Sequence, residues 1–183
     1  MRRTTYIFAV FILFIGLFSC SKESQKEEWA DQEELIEDFI EVILDSDSTA
    51  VTVSTGKAER VIVVSGSGDE LASDGNIAFY YAGYVLKSSK LSSCTLFTTN
   101  SEDIALEEDW EVSDSTALDI LNINIKETDL TEGLKSGLTG VQGGEECYIL
   151  FTSKYGFGKK ALGTIPANSP QVWHIWVESI SND

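Results

Sequence analysis

Hydrophobic positions along the chain follow three different rhythms. Residues 6–18 form an apolar run, preceded by Arg2 and Arg3 and closing in Leu-Phe-Ser-Cys. Residues 29–44, WADQEELIEDFIEVIL, take up helical spacing. Trp29, Glu33, Ile36, Ile40 and Ile43 follow steps of three and four, and Leu35, Phe39 and Val42 widen the stripe. The polar face of this helix is almost wholly acidic. It suits a helix packed on its own domain, or a helix used for dimerisation or client contact. Asp45, Asp47 and Thr49 mark the helix exit, because the glycine and terminal glutamate of a calcium loop are missing.

From residue 51 the pattern becomes that of strands. Val61 to Val64 is a β-branched run, and Gly66, Gly68, Asp74 and Gly75 are turn signals. A long aromatic strand, IAFYYAGYVL, is expected over 77–86 and a shorter one over 94–98. Residues 100–117 read as an acidic insertion, and 117–125 return to strand-like sequence. A short helix is expected over 131–138, with Thr131 placed to cap it. Strands follow over 145–152 and 171–180. Several strands around one short helix make an α+β domain.

The beginning of the chain is organised differently. A basic start, a short apolar core and a small residue before a cleavage point describe a secretory leader over 1–19. Leu-Phe-Ser-Cys resembles a bacterial lipobox, which implies cleavage before Cys20 and lipidation of its sulfur. An ordinary leader or anchor helix ending in cysteine is the alternative. The expected organisation is therefore a leader over 1–19, lipidated Cys20 and a tether over 20–28, an amphipathic helix over 29–50, and a domain over 51–183 carrying the insertion at 100–117. Removing Arg2 and Arg3 takes the formal charge from −17 to −19. Such acidity repels nucleic acid and anionic headgroups, so nucleic-acid binding is excluded and the lipid must provide any membrane attachment. The expected location is the cell envelope, at the outer membrane and facing the periplasm or the cell surface. Cys94 and Cys147 could pair in an oxidising compartment, but two free thiols are the preferred reading.

Several chemistries are excluded by residue content. The single histidine, His174, cannot build a His-based metal cluster, and no nucleophile arrangement surrounds it; it reads as structural, on the sheet face opposite the core. The glycines from Gly133 to Gly144 lack the ending of a phosphate loop. The acidic residues are dispersed and read as solvated surface. Aromatic and apolar groups remain.

Their segments occur in a telling order: YYAGYVL, LFTTN, TDLTEGLKSGL, YGFG, GTIPANS and VWHIWV. This order resembles the FKBP family of peptidyl-prolyl isomerases over roughly 58–181. The resemblance implies an antiparallel sheet wrapped around a short helix, with a catalytic pocket of Tyr81, Phe97, Tyr155 and Trp173. It implies substrate-binding positions at Leu121, Leu130, Thr131, Leu134 and Ile165. Thr98 stands where the family has an acid, Leu134 where it has tryptophan, and Trp173 where it usually has phenylalanine. The implied function is rotation of X–Pro bonds in proline-containing polypeptide clients, needing no metal or cofactor. A non-catalytic client-binding or chaperone lipoprotein is the alternative, with the N-terminal helix as a homodimer contact.

Overall fold

The computed structural model describes residues 2–112 and 115–183, with side chains described from residue 23 onward apart from 115 and 116. The side chains of the expected leader and of Cys20 lie outside the described residues. Helix α1 spans Arg2–Ser46. The expected helix over 29–50 ends four residues earlier, where Asp47 Oδ1 accepts hydrogen bonds from the Thr49 N–H at 2.9 Å and its hydroxyl at 2.7 Å. An aspartate that bonds the backbone two residues on offers the chain a turn in place of another helical step.

Strands β1 (Val51–Ser54) and β2 (Glu59–Val64) form a hairpin. β3 (Ser67–Glu70) pairs only with the two-residue β7 (Gln142–Gly143). The long β4 (Asn76–Val85), β5 (Thr95–Thr99), β6 (Leu121–Asn124), β8 (Glu146–Phe151) and β9 (Gln171–Ser181) complete a seven-stranded antiparallel sheet. Its order is β1-β2-β8-β9-β4-β5, with β6 on the β5 edge of β4. Helix α2 (Glu102–Glu107) lies within the acidic insertion, and α3 (Glu132–Leu138) precedes β7.

Strand alternation sends side chains to two faces, and both are buried. On one, α3 packs Leu134 and Leu138 against Phe79, Cys147, Ile149, Phe151 and Ile175. Contact is close because two α3 positions are glycine. A Cβ on Gly133 would come within 2.3 Å of the Phe151 ring, and one on Gly137 within 2.2 Å of Ile149. Arg60, itself buried, reaches the carboxyl end of α3. It donates to the carbonyls of Gly137, Thr139 and Gly140 at 3.0, 3.1 and 3.2 Å, and its Nε faces Glu145 at 3.4 Å. This answers carbonyls that a short helix leaves without partners.

The second face carries its own core of Ile36, Phe39, Val61, Tyr84, Leu96, Leu150 and Val172. Helix α1 therefore packs on its own domain, and Phe39 meets Tyr148 edge-on at 6.0 Å. Trp110 and Ile104 of the insertion pack against this face too, so the insertion covers the side away from α3. His174 does lie opposite the α3 core, but within a second buried layer, stacked between Tyr148 and Trp176 at 4.1 and 3.8 Å. Its Nε2 lies 2.8 Å from Glu146. Burial holds its pKa down at about 4, so at neutral pH the contact is a hydrogen bond from a neutral ring. Cys147 belongs to the first core and Cys94 to the second; both are free. Burial raises the Cys147 thiol well above its ordinary pKa and leaves it unreactive.

Candidate functional site

Three of the four aromatic candidates, Tyr81, Phe97 and Trp173, meet where β4 changes neighbours, whereas the Tyr155 ring pairs with none of them. β6 pairs with β4 as far as Phe79, and β5 takes over from Ala82. Backbone groups at the join need other partners. Buried Asn100 supplies them: its Oδ1 accepts the Tyr81 N–H at 2.6 Å, and its Nδ2 donates to the Phe79 carbonyl at 3.3 Å and the Asp119 carbonyl at 3.1 Å. The Tyr81 carbonyl accepts from the Thr99 hydroxyl at 2.8 Å. Tyr81 is thereby fixed at the seam by the residue that opens the insertion.

Phe97 owes its position to a register slip. Gly83 pairs with Thr98 and Tyr84 with Leu96, leaving Phe97 as the extra residue of a bulge. Its ring lies over Gly83, where a Cβ would come within 2.9 Å of it. Only glycine leaves room for that approach. The ring then stands edge-on to Trp173 at 5.4 Å, while Tyr81 meets Trp173 at 5.7 Å and Phe79 at 5.9 Å. Trp173 joins the group from β9, opposite Gly83. Its indole N–H donates to Gln171 Oε1 at 3.0 Å, and Gln171 is wholly buried. A tryptophan here thus has a partner for its polar edge, as buried indoles usually do.

Most of the remaining candidates pack against the core beside this group. Leu134 is 4% exposed, and half-buried Leu121, Leu130 and Tyr155 pack against the same core as Tyr81 and Trp173. Thr131 occupies the N-cap position of α3, but its hydroxyl makes no capping bond and is buried without a partner, which corrects the capping expectation. Ile165 is buried in a tight turn where it and Leu162 exchange two 2.9 Å backbone bonds; it belongs to neither core. Thr98 faces Gly83 with its methyl group.

Polar supports of the site escape motif reading. Gln32 of α1 is buried, accepting from the Ser153 N–H at 2.8 Å and donating to the Asn168 carbonyl at 2.9 Å. Those bonds hold the segments that carry Tyr155 and Ile165. Lys154 lies between the rings of Trp29 and Tyr155, at 5.4 and 4.7 Å. The available signal was a glutamine on the apolar stripe, four residues before Ile36 and seven before Phe39. For Asn100, Gly83 and Gln171 no signal beyond residue type was present.

Residues 103–178 match the family model of FKBP-type peptidyl-prolyl cis-trans isomerases. FK506-binding protein 1 of Aspergillus oryzae is 27% identical over 117 residues, covering 64% of this chain and 92% of that protein. The crystal structure of FkpA from Escherichia coli superposes with a TM-score of 0.55 at 16% identity, over 94% of this chain and 70% of that one. The N-terminal domain of FKBP42 from Arabidopsis thaliana gives 0.55 at 12% identity, over 72% of this chain and 93% of that one. The domain has the FKBP fold. The family match and the relative's name support a place among FKBP-type isomerases. Of the candidate site residues, Tyr81 and Phe97 precede the matched segment, so their assignment rests on ring geometry.

Proposed function

We propose that the chain is a peptidyl-prolyl cis–trans isomerase acting on extended polypeptide clients. The observation that carries this reading is the meeting of Phe97, Tyr81 and Trp173 beside the buried α3 face. An X–Pro amide rotates over a barrier of ~18–20 kcal/mol set by resonance. The two isomers are close in energy, so a catalyst need only favour the twisted amide, whose carbonyl is less polar. An aromatic site does so without an acid, base or metal. Leu134 would contact the prolyl ring, while the Tyr155 hydroxyl and the Thr131 N–H hold the flanking backbone; Leu121, Leu130 and Ile165 form the walls. The lipobox-like Leu-Phe-Ser-Cys supports a protein tethered through lipid on Cys20, in the cell envelope.

Cis–trans exchange of a Leu-Pro peptide, followed by NMR with the full chain in detergent, tests the activity. Acceleration should vanish in Phe97→Ala and fall in Tyr155→Phe while the circular dichroism stays folded. A folded protein giving no acceleration would remove the isomerase and leave a binding module, a reading that Thr98 and Leu134 favour.

A further inference from the structure

A groove lies beside the segment that carries Tyr155. Helix α1 and the β1–β2 hairpin enclose a groove of about 460 Å³, within the ~300–1,000 Å³ range of ligand-sized sites. Its apolar surface comes from Ile36 and Ile40 of α1, Ala58 of the hairpin, and Tyr155. Tyr155 also packs against the core that carries Trp173 and Leu134, so the groove borders the elements of the proposed proline site. The rim is acidic: Glu33 and Glu37 on α1, and Glu59 on β2. The lysine on this rim, Lys57, is committed to Glu132 at 2.9 Å; Lys154 nearby, held between two rings, feels the charge of Glu33 and offsets part of it, leaving Glu37 and Glu59 as the rest of the acidic rim. Glu33 and Glu37 form no ion pair with the described residues.

We infer that this groove is an extension of the client site, taking an extended segment that carries lysine or arginine among apolar residues beside the proline. The inference rests on the isomerase or client-binding reading and names its substrate class. Apolar side chains of the segment meet Ile36, Ile40 and Ala58, while its cations meet Glu33, Glu37 and Glu59. Continuity at Tyr155 and the sign of the rim select this occupant over a second copy of the chain, whose net charge of −17 opposes an acidic rim. Each exposed ion pair of this kind is worth up to about fivefold in affinity.

Fluorescence anisotropy with the full chain in detergent provides the test. Two labelled peptides share an Ala-Leu-Pro segment and differ in a lysine-rich or glutamate-rich flank. The lysine peptide should bind about tenfold more tightly at low salt, and the difference should shrink as salt is raised. Glu33→Gln with Glu37→Gln should bring the difference to about twofold and leave exchange of the short Leu-Pro peptide unchanged. Neutralising Glu107 and Glu108 at the end of α2 instead should leave most of the preference intact. Equal affinities for the two peptides, or equal losses from the two double variants, would overturn the inference, as would concentration-dependent dimerisation abolished by the groove variant. A lysine preference without isomerisation of either peptide would remove the isomerase and keep the groove, so the two readings fail separately.

Discussion

Truncating Gln32 to alanine tests whether α1 belongs to the functional domain or merely leads to it. The side chain is 6% exposed and joins α1 to two segments more than a hundred residues away, at Ser153 and Asn168. Ser153 is wholly buried, so its N–H cannot turn to water when the glutamine oxygen is removed. An unsatisfied buried donor costs about 1–3 kcal/mol. The Asn168 carbonyl is only partly buried and can be hydrated, so its lost bond adds about 0.5–1 kcal/mol. Gln32→Ala should therefore destabilise the protein by about 2–4 kcal/mol, a large share of the ~5–15 kcal/mol typical of a domain. Urea unfolding of the full chain in detergent, read by tryptophan fluorescence, should show a midpoint lowered by roughly 1–2 M. Exchange of the Leu-Pro peptide should slow as well, because Tyr155 and Ile165 sit on the segments released. Glu34→Ala, on the exposed face of α1, should change neither quantity. A Gln32→Ala unfolding free energy within about 0.5 kcal/mol of the parent would refute the reasoning and make α1 a tether.

Other consequences follow from the buried polar groups. Trp173→Phe should cost about 1–3 kcal/mol, because it takes away the partner of Gln171 Oε1 while Gln171 Nε2 is already unpartnered. Adding Gln171→Leu should recover most of that loss, and a double-mutant cycle without such coupling would refute the pairing. His174 is held at a pKa of about 4, below the ordinary 6.5, chiefly because burial disfavours the imidazolium; Glu146 opposes the shift. A base depressed in the fold is protonated more readily when unfolded. Stability should therefore be full above about pH 6.5 and fall as pH drops towards 4, by roughly 3 kcal/mol from this residue. His174→Phe, which keeps a ring between Tyr148 and Trp176, should flatten that part of the pH profile; an unchanged profile would assign the loss to carboxylates elsewhere.

Most elements of the domain were legible because each is specified by nearby residues. Alternation over 77–86 and 171–180 marked the central strands, seen as Asn76–Val85 and Gln171–Ser181. The step of three and four over 29–44 marked the helix, and Asp47 its end. Helix α2 was not legible, since its six residues fall in an acidic stretch too short to show a period. Its start depends on a local bond from the Ile104 N–H to Ser101 Oγ. Alternation also could not tell that both faces of the sheet are buried. That depends on α1 and the insertion folding back over Leu150 and Tyr84.

The candidate site divides along the same line. The order of segments, through the family resemblance, nominated Tyr81, Phe97, Tyr155 and Trp173 as candidates. Whether those rings touch was decided in three dimensions. Phe97 reaches Trp173 because one extra residue in β5 re-aims it over Gly83, and Tyr81 is held because Asn100 completes the backbone ladder between β5 and β6. Gln32 matters because it meets an N–H and a carbonyl that the chain delivers more than a hundred residues later. Periodicity and turn chemistry act over a few residues and can be read from a string. Close approach, desolvation and hydrogen bonding across the fold depend on which distant groups arrive together, and only the assembled tertiary structure determines that.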